Sequence, residues 1–261
     1  MAKHLTGTTN VLTDSDPLRA LLPGLMLYAS LILTAIPFFT PTSSNAALPP
    51  ETPAAGATLS PDILQQGARE QRFHEAQEAM ALEDFDRGRE LLRLSAGQGL
   101  ADAQFMLGIV YSSGVGIPKD MERAAYWYQR AAEQGHMDAQ YNLGVAYSLG
   151  AGVLADSAQA ANWYYKAAQQ GSTDAQFNLG LLYAQGDGVN KSMHEAAKWW
   201  FQAAAKGDAA SQYALGLMFV RGDGVDQNIE EALKWWYLSA SQGFERAQHA
   251  LRELGIVIIQ H

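Results

Sequence analysis

The sequence predicts an all-α solenoid, a stack of antiparallel helix pairs. Glycine and aromatic residues recur at a fixed step of 36 residues, and apolar residues within each step are spaced by three and four. A Gly-x-Gly turn separates the two apolar stretches of every unit. A repeated helical hairpin satisfies all three observations, because each hairpin buries its apolar stripe only against its neighbours.

The first element, residues 1–46, is a leader. No charge lies between Ala20 and Pro50, and Leu21 to Phe39 is one apolar run preceded by Lys3 and Arg19. Small residues at Ser44-Asn45-Ala46 suit cleavage before Ala47. This layout reads as a secretory signal peptide. The run is also long enough to span a bilayer, so an uncleaved membrane anchor is the alternative. Either version places the remainder outside the cytoplasm, periplasmic or secreted in the first case and held at the inner membrane in the second. Residues 47–62 are rich in Pro and Ala without apolar periodicity and read as a linker.

From residue 63 onward the chain reads as one hairpin (63–99), four repeats (100–135, 136–171, 172–207, 208–243) and a closing cap (244–261). The register is carried by Gly108/Gly144/Gly180/Gly216 and by the pairs Gly114/Gly116, Gly150/Gly152, Gly186/Gly188 and Gly222/Gly224. Gly99, Gly135, Gly171, Gly207 and Gly243 close the units, and Gln104, Gln140, Gln176, Gln212 and Gln248 keep the same step. In the first helix of a unit, Ala103, Leu107 and Tyr111 form one apolar stripe. Gly114 and its equivalents follow where a helix end favours a left-handed residue. Asp120, Asp156, Ser192 and Asn228 can then cap the second helix, with Gln159, Glu195 and Glu231 placed for a capping box. Gly108 and its equivalents fall inside a helix, where glycine costs about 1 kcal/mol relative to alanine. A bulky ring approaching closely accounts for them, and the periodic Trp127/Trp163/Trp199/Trp235 is the expected occupant.

The pattern A-x-x-x-L-G-x-x-Y-x-x-G-x-G-V followed by A-x-x-W-Y/W-x-x-A-A-x-x-G resembles the Sel1-like repeat family, relatives of the tetratricopeptide repeats. The resemblance covers about residues 101–250 and implies a right-handed α/α superhelix of Sel1-like repeats. The hairpin at 63–99 lacks Gly-x-Gly and is closer to a tetratricopeptide hairpin. At the other end, Arg252 replaces the helix glycine and the apolar residues Ile256 to Ile259 mark a cap.

Composition and motifs exclude much chemistry. With no cysteine, thiolate metal sites and disulfide frameworks are excluded, and a net charge of −9 argues against nucleic acid as a partner. The Gly-x-Gly turns lack the further glycine or the G-K-[ST] of phosphate loops. His74-Glu75 and His194-Glu195 lack the second histidine of a zincin, and neither S-x-x-K nor G-x-S-x-G occurs. The sequence therefore predicts no enzyme, cofactor or metal.

A binding surface is the expectation that remains. By the tetratricopeptide resemblance, the first helices line a groove, which nominates Tyr141, Asn142, Phe177, Asn178, Tyr213 and Arg221 for a protein or peptide partner. The Asn amides can donate to and accept from a peptide backbone, or bond within their own helices. A second candidate surface is the row Tyr165, Phe201 and Tyr237, either exposed as an aromatic ladder or packed into the next repeat. The expected function is an exported scaffold or adaptor; the alternative is a protein that binds or hydrolyses cell-wall glycan fragments.

Overall fold

The computed structural model describes residues 60–254, and the leader, most of the linker and the tail 255–261 lie outside the described residues. Eleven helices and no strand occur among the described residues. They are α1 (Pro61–Ala81), α2 (Phe85–Gly97), α3 (Ala101–Ser113), α4 (Met121–Glu133), α5 (Met137–Leu149) and α6 (Ser157–Gln169). The series continues with α7 (Thr173–Gln185), α8 (Met193–Ala205), α9 (Ala209–Arg221), α10 (Ile229–Ser241) and α11 (Glu245–Glu253). Each odd-numbered helix from α1 to α9 pairs with the helix after it, and each even-numbered helix packs on the first helix of the next hairpin. The result is a solenoid of consecutive hairpins.

The helix ends follow from local chemistry. Gly114, Gly150, Gly186 and Gly222 end the first helices with φ of 77°, 67°, 76° and 74°. This is the left-handed conformation that glycine adopts without strain. The side chains of Asp120, Asp156, Ser192 and Asn228 each accept a backbone N–H of the following second helix. The reciprocal half of the expected capping box is absent. The backbone N–H of each cap residue already donates to Tyr111, Tyr147, Tyr183 or Phe219, so Glu195 and Glu231 turn instead to Lys198 and Lys234. In the N-terminal hairpin the helix starts at Pro61, inside the expected linker, and Asp84 caps α2 after a tight turn at Glu83 (φ 61°).

The interior glycines do face a ring, but not the expected one. Tyr128, Tyr164, Trp200 and Trp236 occupy the notches at Gly108, Gly144, Gly180 and Gly216. Each stands one position after the periodic tryptophan, and one residue turns a helical side chain by about 100°. Trp127, Trp163 and Trp199 instead pack where one hairpin meets the next. The polar atom of each notch ring is satisfied according to its type. The Tyr128 hydroxyl lies 2.8 Å from Ser112 Oγ, and the Tyr164 hydroxyl bonds Ser148. Burial pushes the Tyr128 hydroxyl up to about 12. Trp200 and Trp236 donate their indole N–H to the carbonyls of Phe177 and Tyr213 at 3.1 Å, and Ala184 and Val220 stand where the serines were.

Successive hairpins are joined by the periodic glutamines. Gln104, Gln140, Gln176, Gln212 and Gln248 each donate Nε2 to the carbonyl eight residues earlier, at 3.0–3.2 Å. Those carbonyls belong to Ala96, Ala132, Ala168, Ala204 and Ala240, near the end of the preceding second helix. In three units the glutamine Oε1 accepts from a second glutamine, Gln134, Gln170 or Gln242, at 2.7–2.8 Å.

A methyl group in a notch should displace its ring. Gly180→Ala places a Cβ against the fully buried Trp200 indole, whereas Gly97 in α2 has open space around it. Urea unfolding should show Gly180→Ala destabilised by roughly 1–3 kcal/mol. Gly97→Ala should be neutral or stabilised by up to about 1 kcal/mol.

Candidate interaction surface

Because the periodic residues fill the core, the surface is made by positions that differ between units. On the first helices α3, α5, α7, α9 and α11, one row reads Asp102, Asp138, Asp174, Ala210 and Arg246. Beside it Met106, Asn142, Asn178 and Ala250 are partly exposed and Ala214 is buried; in the next row Ile109 and Leu181 are partly exposed, while Val145 and Leu217 are buried. The N-terminal ends of consecutive first helices touch. Phe105 stacks on His136 at 4.5 Å, and Tyr213 meets Phe244 at 5.5 Å.

The nominated groove residues divide into two kinds. Tyr141, Phe177 and Tyr213 are core rings, 9%, 8% and 7% exposed, packed on Tyr164, Trp200 and Trp236. Their faces are spent on the notch rings, so the structure corrects their nomination as open groove contacts. Asn142 and Asn178 are partly exposed with amides already engaged: Asn142 Nδ2 donates to the Asp138 carbonyl at 2.9 Å, and Asn178 bonds the Tyr141 hydroxyl. Arg221, at the end of α9, lies 4.0 Å from Asp223.

Electrostatics change sign along the face. Burial raises the Tyr141 hydroxyl well above its ordinary range, and the Asp174 carboxylate raises it further. The Asp174 carboxyl is itself raised, first by its packed surroundings and then by Asp208 and Asp138. One unit pair further along, Tyr213 is raised by burial while Arg246 and Arg221 oppose the rise. His136, which sequence reasoning passed over, caps α5 by accepting the Ala139 N–H at Nδ1, 3.2 Å. Its Nε2 lies 3.4 Å from the Asp102 carboxylate. That cap could not be read from a histidine standing where Ser172 and Asp208 cap the next two units.

The second surface is both exposed and packed. Tyr165, Phe201 and Tyr237 are 41%, 36% and 51% exposed. Tyr165 meets Trp199 edge-on at 5.8 Å and Phe201 meets Trp235 at 6.0 Å, each ring resting on the next hairpin. Among the described residues there is no grouping of His, Asp or Glu that could hold a metal ion, and no helix long and apolar enough to cross a membrane.

The Sel1 repeat family model matches residues 101–136, 138–172, 173–208 and 209–244. The chain belongs to the Sel1 repeat family, whose fold commonly serves as a scaffold for protein–protein interaction. It is similar to the crystal structure of c5321, a protective antigen present in uropathogenic Escherichia coli strains, at 32% identity and a TM-score of 0.69. That match covers 78% of this chain and 46% of the antigen, so this chain spans less than half the antigen's length. A Sel1 repeat protein from Oxalobacter formigenes is 31% identical with a TM-score of 0.66, covering 72% of this chain and 79% of that one. No curated protein matches the chain.

Truncating a core ring and a row ring should have different consequences. Tyr213→Ala is expected to lose about 3–5 kcal/mol of stability in chemical unfolding. Tyr237→Ala, with half of its ring in solvent, should lose no more than about 1 kcal/mol.

Proposed function

We propose that this chain is an exported, noncatalytic scaffold that docks a partner's peptide segment or domain on the face of its first helices. One observation carries the reading: the repeated residues are consumed by packing, while accessible first-helix positions vary in charge, polarity and size from unit to unit. Such variation is what recognition of a nonrepetitive partner requires, and solenoids commonly bind along an extended surface. The apolar leader and small-residue cleavage sequence support export, with the repeats periplasmic, secreted or tethered outside the cytoplasm. Regulation of an envelope or signalling complex fits a scaffold so placed.

A second reading, glycan binding in the envelope, is favoured by the exposed rings Tyr165, Phe201 and Tyr237, since aromatic faces can stack on sugars. The two readings use different surfaces and separate in one experiment. Affinity capture from an envelope fraction is run with the full chain, with Leu181→Lys combined with Leu149→Lys at the exposed end of first helix α5, and with Phe201→Ser/Tyr237→Ser. The scaffold reading expects a defined protein partner, lost with the lysine pair and kept with the serine pair. Retention of peptidoglycan fragments instead, abolished by the serine pair alone, would overturn it in favour of glycan binding.

A further inference from the structure

The first-helix face has two ends of opposite charge on one continuous row. Asp102, Asp138 and Asp174 occupy corresponding positions in three successive units, all solvent-accessible, and Arg246 occupies the same position two units after Asp174. Asp138 and Asp174 have no basic partner among the described residues, and neither does Arg246 an acidic one. Asp102 has only His136, at 3.4 Å. Two equivalent tyrosines report the reversal: Tyr141 feels the Asp174 carboxylate, and Tyr213 feels the Arg246 guanidinium from the matching place. Asp208 adds a further carboxylate near Asp174, the row is uncharged at Ala210, and Ile109 and Leu181 are partly exposed apolar positions beside it.

We propose that this face selects an extended peptide segment by charge polarity, with lysine or arginine side chains over Asp102–Asp174 and an acidic side chain or terminal carboxylate at Arg246. The proposal rests on the scaffold reading of the same face and adds the partner's chemistry. Charge complementarity is the argument for the occupant. Three carboxylates in one row, two of them without a basic partner, attract cations, and the sign change at Arg246 penalises a uniformly basic segment. Reach also fits. Five first helices at spacings of roughly 8–10 Å span about 32–40 Å, which an extended segment of about 10–12 residues covers.

The test is fluorescence anisotropy with the full chain in mild detergent at low salt and three labelled peptides of that length. One carries lysines at one end and glutamates at the other, one the lysines only, and one the glutamates only. The expected order is the two-signed peptide tightest, by roughly tenfold over the lysine-only peptide. Asp138→Asn/Asp174→Asn should weaken both lysine-bearing peptides. Arg246→Ala should weaken the two-signed peptide to the level of the lysine-only one and leave the latter unchanged. Helical circular dichroism confirms that each variant is folded, these side chains being outside the core. Equal affinity for the two lysine-bearing peptides, or equal weakening of both by Arg246→Ala, overturns polarity selection and leaves the docking face standing. If no peptide binds, both the proposal and the peptide-docking reading fall. Dimerisation through this face, abolished by Arg246→Ala, overturns the proposal by assigning the face to a second copy.

Discussion

The structure depends on one repeated buried contact, the glutamine that ties each first helix to the end of the second helix before it. Its Nε2 is the second donor to a carbonyl near a helix end, which also accepts the N–H of the glycine three residues on. Gln104, Gln140, Gln176 and Gln212 are buried, so their hydrogen bonds exclude water and are expensive to break without a substitute, while Gln248 at the last unit is partly exposed. Hairpin packing can tolerate some sliding between helices; a directional bond at a fixed register cannot. The clasp therefore fixes the spacing that lines up Asp102, Asp138 and Asp174 in one row.

Within each hairpin a second constraint operates, and the units meet it in two chemical ways. The glycine notch admits either Tyr or Trp, and what changes with the ring is the partner of its polar atom. Tyr128 and Tyr164 use Ser112 and Ser148, while Trp200 and Trp236 reach a backbone carbonyl and leave Ala184 and Val220 apolar. The solution is complete in both forms because a buried donor is matched each time. Among the four buried glutamines one clasp is incomplete. Lys206 stands where Gln134, Gln170 and Gln242 stand in other units and donates to the Gly171 carbonyl, so Gln176 Oε1 is buried without a partner.

Much of this was legible in the sequence. A strict step of identical residues exposed the hairpins, the left-handed helix ends and the four second-helix caps, because each depends on local backbone chemistry. The choice of notch ring was not legible. Two adjacent aromatics both recur, and only the direction of the side chain separates Trp199 from Trp200. The capping boxes failed for a related reason, since the cap N–H is taken by a carbonyl from the preceding helix, which spacing within the unit does not reveal. Tyr141, Phe177 and Tyr213 were nominated for the groove because they fall off the main apolar stripe, yet the notch rings cover them. The glutamines were visible as a register without a role, because their partners lie in the previous unit.

The same clasp offers the most direct test, in paired variants whose effects have opposite signs. Equilibrium urea unfolding, followed by tryptophan fluorescence, is compared for the parent chain, Gln140→Leu and Lys206→Gln. Gln140→Leu removes the bond to the Ala132 carbonyl and leaves the Gln170 amide one acceptor short. It is expected to lower stability by about 1–3 kcal/mol. Lys206→Gln supplies the missing donor to Gln176 and can keep the bond to Gly171, as Gln170 does to Gly135. It is expected to raise stability by about 1 kcal/mol. Unchanged midpoints in both variants would contradict the account, since the register of the stack would then rest on apolar packing alone.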